Sequence, residues 1–214
     1  MATHLKIDFV SDVSCPWCVV GLKSLEQALL RVGDSITTEL HFQPFELNPQ
    51  MAPEGEDTTE HLARKYGSTP AQAAANKENI RSRGAELGFT FTMGSRNRIY
   101  NTFDAHRLLH WAGLEGHQYA LKQALFDAYF TLGQNPSDHE LLVQVAGQVG
   151  LDPVRAQTIL ESGEFADAVR EREQFYTGQG IRSVPAIVIN DRHLISGGQP
   201  PEVFEQALRQ IAAG

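Results

Sequence analysis

Residues 5 to 18, LKIDFVSDVSCPWC, run an alternating segment straight into the only two cysteines of the chain. Leu5, Ile7 and Phe9 share one side of an extended segment, with Lys6 and Asp8 on the other until Val10. That pattern predicts a β-strand with one buried face. From Pro16 the apolar period changes. Val19, Leu22, Leu25, Leu29 and Val32 recur at helical spacing, and Gly33 offers a stop. A second strand is predicted in TTELHFQPF, near residues 37 to 43, closed by Pro44. Strand, C-x-x-C, helix and strand then read as one βαβ unit with a right-handed crossover.

From about residue 57 to 178 the punctuation is helical. Asp57 precedes Glu60 at capping-box spacing, and Gly67 ends that helix. Thr69-Pro70 starts another, leading to Gly88. GFTFTMGSRNR reads as a loop, and NTFDAHRLLHWAG and HQYALKQALFDAYFTLG as helices. Further starts fall at Ser137-Asp138 and Asp152-Pro153, and a last helix runs from about Glu164 to Thr177, giving six or seven helices. The tail returns to strands. PAIVI (185 to 189), the Asn190-Asp191 turn and HLIS (193 to 196) predict a hairpin, broken by Gly197-Gly198. Pro200-Pro201 then opens a helix with Val203, Phe204, Ala207, Leu208 and Ile211 at helical spacing. The order βαβ, helical block, ββα reads as an insertion. Residues 1–50 and 179–214 are expected to form one discontinuous α/β domain, with 51–178 an all-helical insertion over its sheet.

Composition narrows the function. Of 214 residues, 42% are apolar and 21% charged, as in a soluble globular protein. The net charge of −8 argues against a nucleic-acid partner, which needs a basic face. No apolar run approaches the roughly 20 residues of a membrane span. MATHLKIDFV lacks the basic and apolar regions of a signal peptide, so a cytoplasmic location is expected, where stable structural disulfides are rare.

Cys15 falls just after the strand and just before the helix, with Pro16 at the first helical position. The unpaired N–H groups and dipole of a helix N-terminus stabilise an anion, so the thiolate of Cys15 is favoured there. Cys18 lies one helical turn on, within reach of Cys15. The pair therefore suits thiol–disulfide exchange, Cys15 attacking and Cys18 resolving the mixed disulfide. Two other readings compete. The cysteines could pack as small apolar residues, or bind zinc with His106 and His110, which share a helix face at i, i+4. The first fits the strand–C-x-x-C–helix context poorly. The second lacks ligands at finger spacing and a second C-x-x-C.

IDFVSDVSCPWCVVGLKSLE, NTFDAHRLLHWA, IRSVPAIVIN and LISGGQPPEVF together resemble the DsbA-like branch of the thioredoxin superfamily, and within it the cytosolic FrnE-type proteins. The resemblance covers nearly the whole chain. It implies a thioredoxin-like fold, βαβ plus ββα, with a large all-helical insertion. It implies that Pro185 is a cis-proline facing Cys15 and Cys18, and that the backbone of Val184 pairs with substrate. Pro16 and Trp17 are implied to contact substrate, as is Asn101, which with Arg98 and Arg107 would line a cleft between insertion and sheet. Asn101 or Thr102 capping the following helix, with solvated arginines, is the competing reading. Asp8 resembles the acidic proton acceptor of related enzymes but sits about one residue further from the motif. A solvated strand-edge carboxylate is its alternative. Asp12, nearer Cys15, would oppose the thiolate if close in space. Trp17 stands where the strongly oxidising periplasmic members carry histidine. Indole bears no charge, so a less oxidising couple is expected.

The resemblance implies a thiol–disulfide oxidoreductase acting on protein or small-molecule disulfides and dithiols. It needs no metal or organic cofactor beyond its redox-active disulfide, with glutathione a candidate reductant. Alternatives are a glutathione-dependent isomerase or transferase of the same fold, whose members typically carry serine where this chain has Cys15, and a non-enzymatic redox-sensing or chaperone-like binding protein.

Overall fold

A computed structural model describes residues 2–52, 54–92, 94 and 98–214. β1 (Thr3–Ser11) leads through a short turn to α1 (Pro16–Val32), and Gly33 caps it as a 3-10 turn enters β2 (Ile36–Pro44). The helical block carries α2 (Thr58–Tyr66), α3 (Pro70–Glu86), α4 (Phe103–Leu114), α5 (Gln118–Phe126), α6 (His139–Gln148), α7 (Pro153–Glu161) and α8 (Ala166–Gly178). Two elements there were not foreseen: a ladder between Glu56–Asp57 (β3) and Arg98–Ile99 (β4), and a π-helical turn at Asp127–Thr131. The chain closes with β5 (Ala186–Ile189), β6 (His193–Ser196) and α9 (Pro201–Ala212). The caps are those the residues specify: the Asp57 carboxylate accepts from Thr59 and Glu60, and Thr69 and Gln72 form a reciprocal capping box.

The main sheet has the order β2-β1-β5-β6. β1 and β2 are parallel, from Thr3↔Ile36 to Ser11↔Pro44; β1 and β5 are antiparallel, with Phe9 opposite Ile187. Leu5, Ile7 and Phe9 pack against Val19, Leu22 and Leu25 of α1 and Phe204 and Leu208 of α9. Only one face of β1 was expected to be buried, yet both are. Val10 lies with Tyr176 of α8, Ile181 and Ala186 on the second face, because α8 covers it. Asp8 is tolerated there through an ion pair with Lys6 (3.0 Å) and a hydrogen bond from Gln43 (2.6 Å).

Helices α4 to α7 enclose their own cluster around Leu108, Leu121, Leu142 and Ile159, joined by Val13 from the β1–α1 turn. The stretch read as a loop, GFTF, has no regular structure but is not a surface loop. Phe89 and Phe91 are buried, and Phe91 packs edge-on to Phe130 at 5.3 Å. With Ile80, Phe126 and Tyr129 they extend the core beneath α1. The open edge of β2 is closed by a side chain. Gln118 accepts from the Phe42 N–H (2.9 Å) and donates to the Phe42 carbonyl (3.0 Å), pinning the start of α5 to the sheet. Among the described residues no helix is long and apolar enough to cross a membrane.

Candidate active site

The parallel ladder ends at Ser11, and the next residues fold back on themselves. The Asp12 carbonyl accepts the Cys15 N–H (3.2 Å), and the Cys15 carbonyl accepts the Cys18 N–H (3.1 Å). Cys15 is thus the N-cap of α1, in an extended conformation, with Pro16 at N1 where a missing N–H costs nothing. Its sulfur lies at the helix end where backbone donors are unpaired. Both cysteines are free thiols. Cys15 is 4% exposed and Cys18 fully buried beneath it. Burial, then the neighbouring Cys15, pushes the Cys18 thiol well above its ordinary range, against a downward pull from Lys122 and the Asp12 backbone.

Facing the pair is the turn into β5. The Val184–Pro185 bond is cis, and the Cys15 thiol donates to the Val184 carbonyl across 3.7 Å. Two glycines let these parts meet. A Cβ on Gly21 would stand 3.0 Å from Pro185 Cγ, and one on Gly198 would stand 3.0 Å from the Trp17 carbonyl oxygen and 3.3 Å from the Gly21 nitrogen. The β6–α9 turn, the Pro185 ring and the second turn of α1 therefore pack without side chains between them. Trp17 is half-buried against the core. Tyr66, at the end of α2, is 58% exposed. Burial, then the charge of Cys15, pushes its hydroxyl upward. No motif signalled Tyr66, Gly21 or Gly198.

Asp12 does not aim at Cys15. Its carboxylate is fully buried and accepts from the Leu47 N–H (2.7 Å), the Ser14 hydroxyl (3.0 Å) and the Ser14 N–H (3.2 Å), with His106 Nε2 at 3.5 Å. Burial pushes its acidity up, but His106, Leu47 and Thr102 outweigh this and hold it below the usual carboxylate range. Asp8 is not brought to the cysteines. Its parity sends the side chain to the α8 face with Lys6, Gln43 and Tyr176, whereas Cys18 packs on the α1 face with Phe9. The one-residue offset from the related pattern is what places it across the sheet.

The stretch SRNRIYNTFDAHR is only partly visible, because Ser95, Arg96 and Asn97 lie outside the described residues. Asn101 accepts from the Phe103 N–H (2.9 Å) at the start of α4 while its amide donates to the Pro49 carbonyl (3.4 Å) and Glu46 (3.5 Å). Arg98 donates to the Glu54 and Gly55 carbonyls. Arg107, expected in a cleft or in solvent, is in neither. It is buried and donates to the carbonyls of Glu164 (2.8 Å), Ser162 (2.5 Å) and Ile159, with Asp104 at 2.7 Å. It ties α4 to the end of α7. His106 and His110 part company too, His106 against Asp12 and His110 against the Phe165 ring at 5.1 Å.

A family model for the DsbA-like thioredoxin domain matches residues 6–209. The chain belongs to this DsbA-like family. A probable DsbA oxidoreductase from Streptomyces coelicolor is 35% identical, with a TM-score of 0.92 over 99% of this chain and 91% of that one. The uncharacterized protein YwbO of Bacillus subtilis is 29% identical over 97% of this chain and 96% of its own. The cytosolic disulfide reductase DsbM of Pseudomonas aeruginosa, solved with GSH, shares the fold at 15% identity, with a TM-score of 0.66 over 98% of this chain and 100% of its own. The architecture, a sheet carrying a helical insertion, is that of the DsbA-like thioredoxin family.

Proposed function

We propose that the protein is a cytoplasmic thiol–disulfide oxidoreductase acting on disulfides of proteins or low-molecular-weight thiols, with Cys15 the nucleophile and Cys18 the resolving thiol. The observation that carries this reading is Cys15 at the N-terminus of α1, 3.7 Å from the Val184 carbonyl, with Cys18 buried one turn behind. A substrate R–S–S–R′ loses R′S⁻ to attack by the Cys15 thiolate, forming Cys15–S–S–R. The Cys18 thiolate then attacks Cys15 Sγ, forms the Cys15–Cys18 bond and expels RS⁻. The substrate gains two electrons and the pair loses them; an external thiol such as glutathione resets the pair, with no metal or organic cofactor. Val184 is the backbone partner for an extended substrate segment, with Pro185 holding it opposite the thiols. Pro16, Trp17 and Tyr66 are the contact surface around them, and Asn101 lies further out on the α4 side.

The test is trapping. In Cys18→Ser, the mixed disulfide on Cys15 should persist, and mass spectrometry of complexes captured in cells names the substrate. Reduction of insulin with dithiothreitol should occur with the wild type and vanish in Cys15→Ser. Isomerase or transferase activity that survives Cys15→Ser, or no capture at all, would overturn the reading.

A further inference from the structure

Lys122 is fully buried, and its Nζ has no hydrogen-bond partner among the described residues. An amine in that setting is costly, so its retention asks for a purpose. Its place is fixed by the fold. Gln118, one turn earlier on α5, is bonded on both sides to the Phe42 backbone, so position 122 on the same helix face turns inward. Nζ lies 4.9 Å from the Phe126 ring centre and 5.7 Å from that of Phe42. Phe126 and Phe42 belong to the cluster that encloses Cys18. The thiol and the amine act on each other's charge. Behind Lys122 lies a cavity of about 270 Å³, bounded also by His106, His110, Gln118 and Arg172.

Resolution of a mixed disulfide needs the Cys18 thiolate, yet Cys18 is sealed from water and burial holds its proton on. Asp8, the carboxylate that would take it, lies across the sheet. Resting on the oxidoreductase reading above, we infer that Lys122 is the proton acceptor for Cys18 and that the cavity behind it carries the proton to solvent. The lysine side chain, unpartnered in the resting protein, closes on Cys18 as the mixed disulfide forms, and its neutral amine takes the Cys18 proton and becomes an ammonium. The thiolate attacks Cys15 Sγ, the Cys15–S–S–R bond breaks and RS⁻ departs, to be protonated by water. The ammonium returns its proton through the cavity, or to Cys18 when the disulfide is reduced again. Burial brings the amine down to about 8, against upward pulls from Cys18, Asp12 and Cys15, so a usable fraction is neutral near physiological pH. The other titratable groups bordering the cavity are His106 and His110 from α4, Arg172 from α8 and His41 from β2.

Single-turnover reaction of the reduced protein with dithiobis(nitrobenzoate) separates the steps. The first thionitrobenzoate released reports attack by Cys15, the second resolution by Cys18. Lys122→Met should leave the first release within a few-fold of wild type and slow the second about 100-fold at neutral pH, the scale of lost general-base catalysis. The wild-type second release should level off above about pH 8, and that of the variant should keep rising. Lys122→Gln, which keeps a hydrogen-bonding head but takes no proton, should behave as Met does. A folded Met or Gln variant with the wild-type rate and pH profile overturns the assignment. If wild type releases nothing through Cys15, the oxidoreductase reading fails instead. Lys122 is then judged by the far-ultraviolet thiolate absorbance of Cys18 in Cys15→Ser. Adding Lys122→Met should raise the Cys18 midpoint, and an unchanged midpoint overturns the coupling.

Discussion

Gly21 lies so close to Pro185 that a Cβ on the glycine would stand 3.0 Å from Pro185 Cγ and 3.4 Å from the Gly198 backbone. Gly21→Ala therefore sets two effects against each other. Alanine in place of a helical glycine gains up to about 1 kcal/mol, while overpacking costs about 1–3 kcal/mol. The Pro185 ring is the part that can yield. Stability in urea should change by less than about 2 kcal/mol, but disulfide exchange should slow because Pro185 has moved relative to Cys15. Gly198→Ala should be worse for stability, since the Trp17 carbonyl and the Gly21 nitrogen are backbone atoms that cannot step aside. Equal exchange rates in wild type and Gly21→Ala would show that the packing does not position the site.

Trp17 lies between the cysteines, half-buried against the core and uncharged. Replacing it by histidine places an imidazole, ionisable near neutral pH, beside the Cys15 thiolate and so stabilises the reduced pair. Each 1.4 kcal/mol of that preference raises the potential by about 30 mV for a two-electron couple. Trp17→His should therefore be more oxidising by roughly 30 mV or more in glutathione redox buffers, more so below the imidazole midpoint. A potential equal to or below wild type would sink this account.

Asp12 is held below the usual carboxylate range, burial being outweighed by His106, Leu47 and Thr102. A depressed folded-state value means that the carboxylate contributes stability fully above its unfolded value near 3.8 and loses it as pH falls through the folded one. Asp12→Asn should lower stability at neutral pH by about 1–3 kcal/mol, because the buried acceptor for Leu47 and Ser14, which faces His106, loses its charge. It should also flatten the decline of the urea midpoint below about pH 4. An unchanged acid limb in the variant would assign the acid sensitivity elsewhere.

How far these parts were legible depended on whether neighbours in sequence were also neighbours in space. The strand–C-x-x-C–helix unit and the terminal hairpin are local patterns, so their elements fell within a residue or two of expectation. Asp8 was misplaced because a period-two pattern says which residues share a face but not which face meets α1. The second face of β1 looked polar because α8, more than 150 residues away, supplies its cover. Arg107 looked solvated for the same reason, its carbonyl partners lying 52 to 57 residues on. Lys122 did leave a trace. Positions 118, 121, 122, 125 and 126 form the inward stripe of α5, and a lysine among Leu121, Leu125 and Phe126 breaks it. Gly21 and Gly198 left none, since a glycine inside a helix and one in a break look alike whether or not something leans on them.

Lys122 also yields a stability prediction of unusual sign. Its amine, ordinarily near 10.5, is brought down to about 8 by burial, against upward pulls from Cys18, Asp12 and Cys15. Below about pH 8 the folded chain must hold an ammonium between two aromatic rings, while the unfolded chain hydrates it freely. Between 8 and 10.5 the unfolded state binds more protons, so stability rises with pH across that window. The full penalty, present below it, is on the order of 3 kcal/mol. Lys122→Met, close in volume and apolar, should therefore raise the neutral-pH unfolding free energy by about 1–3 kcal/mol. The gain should shrink toward pH 10.5. Urea titrations of both proteins across that range read this directly, as a difference free of the other groups that titrate there. A less stable Lys122→Met at neutral pH would mean that the ammonium is satisfied in place, and the amine would then be a structural cation rather than a buried base.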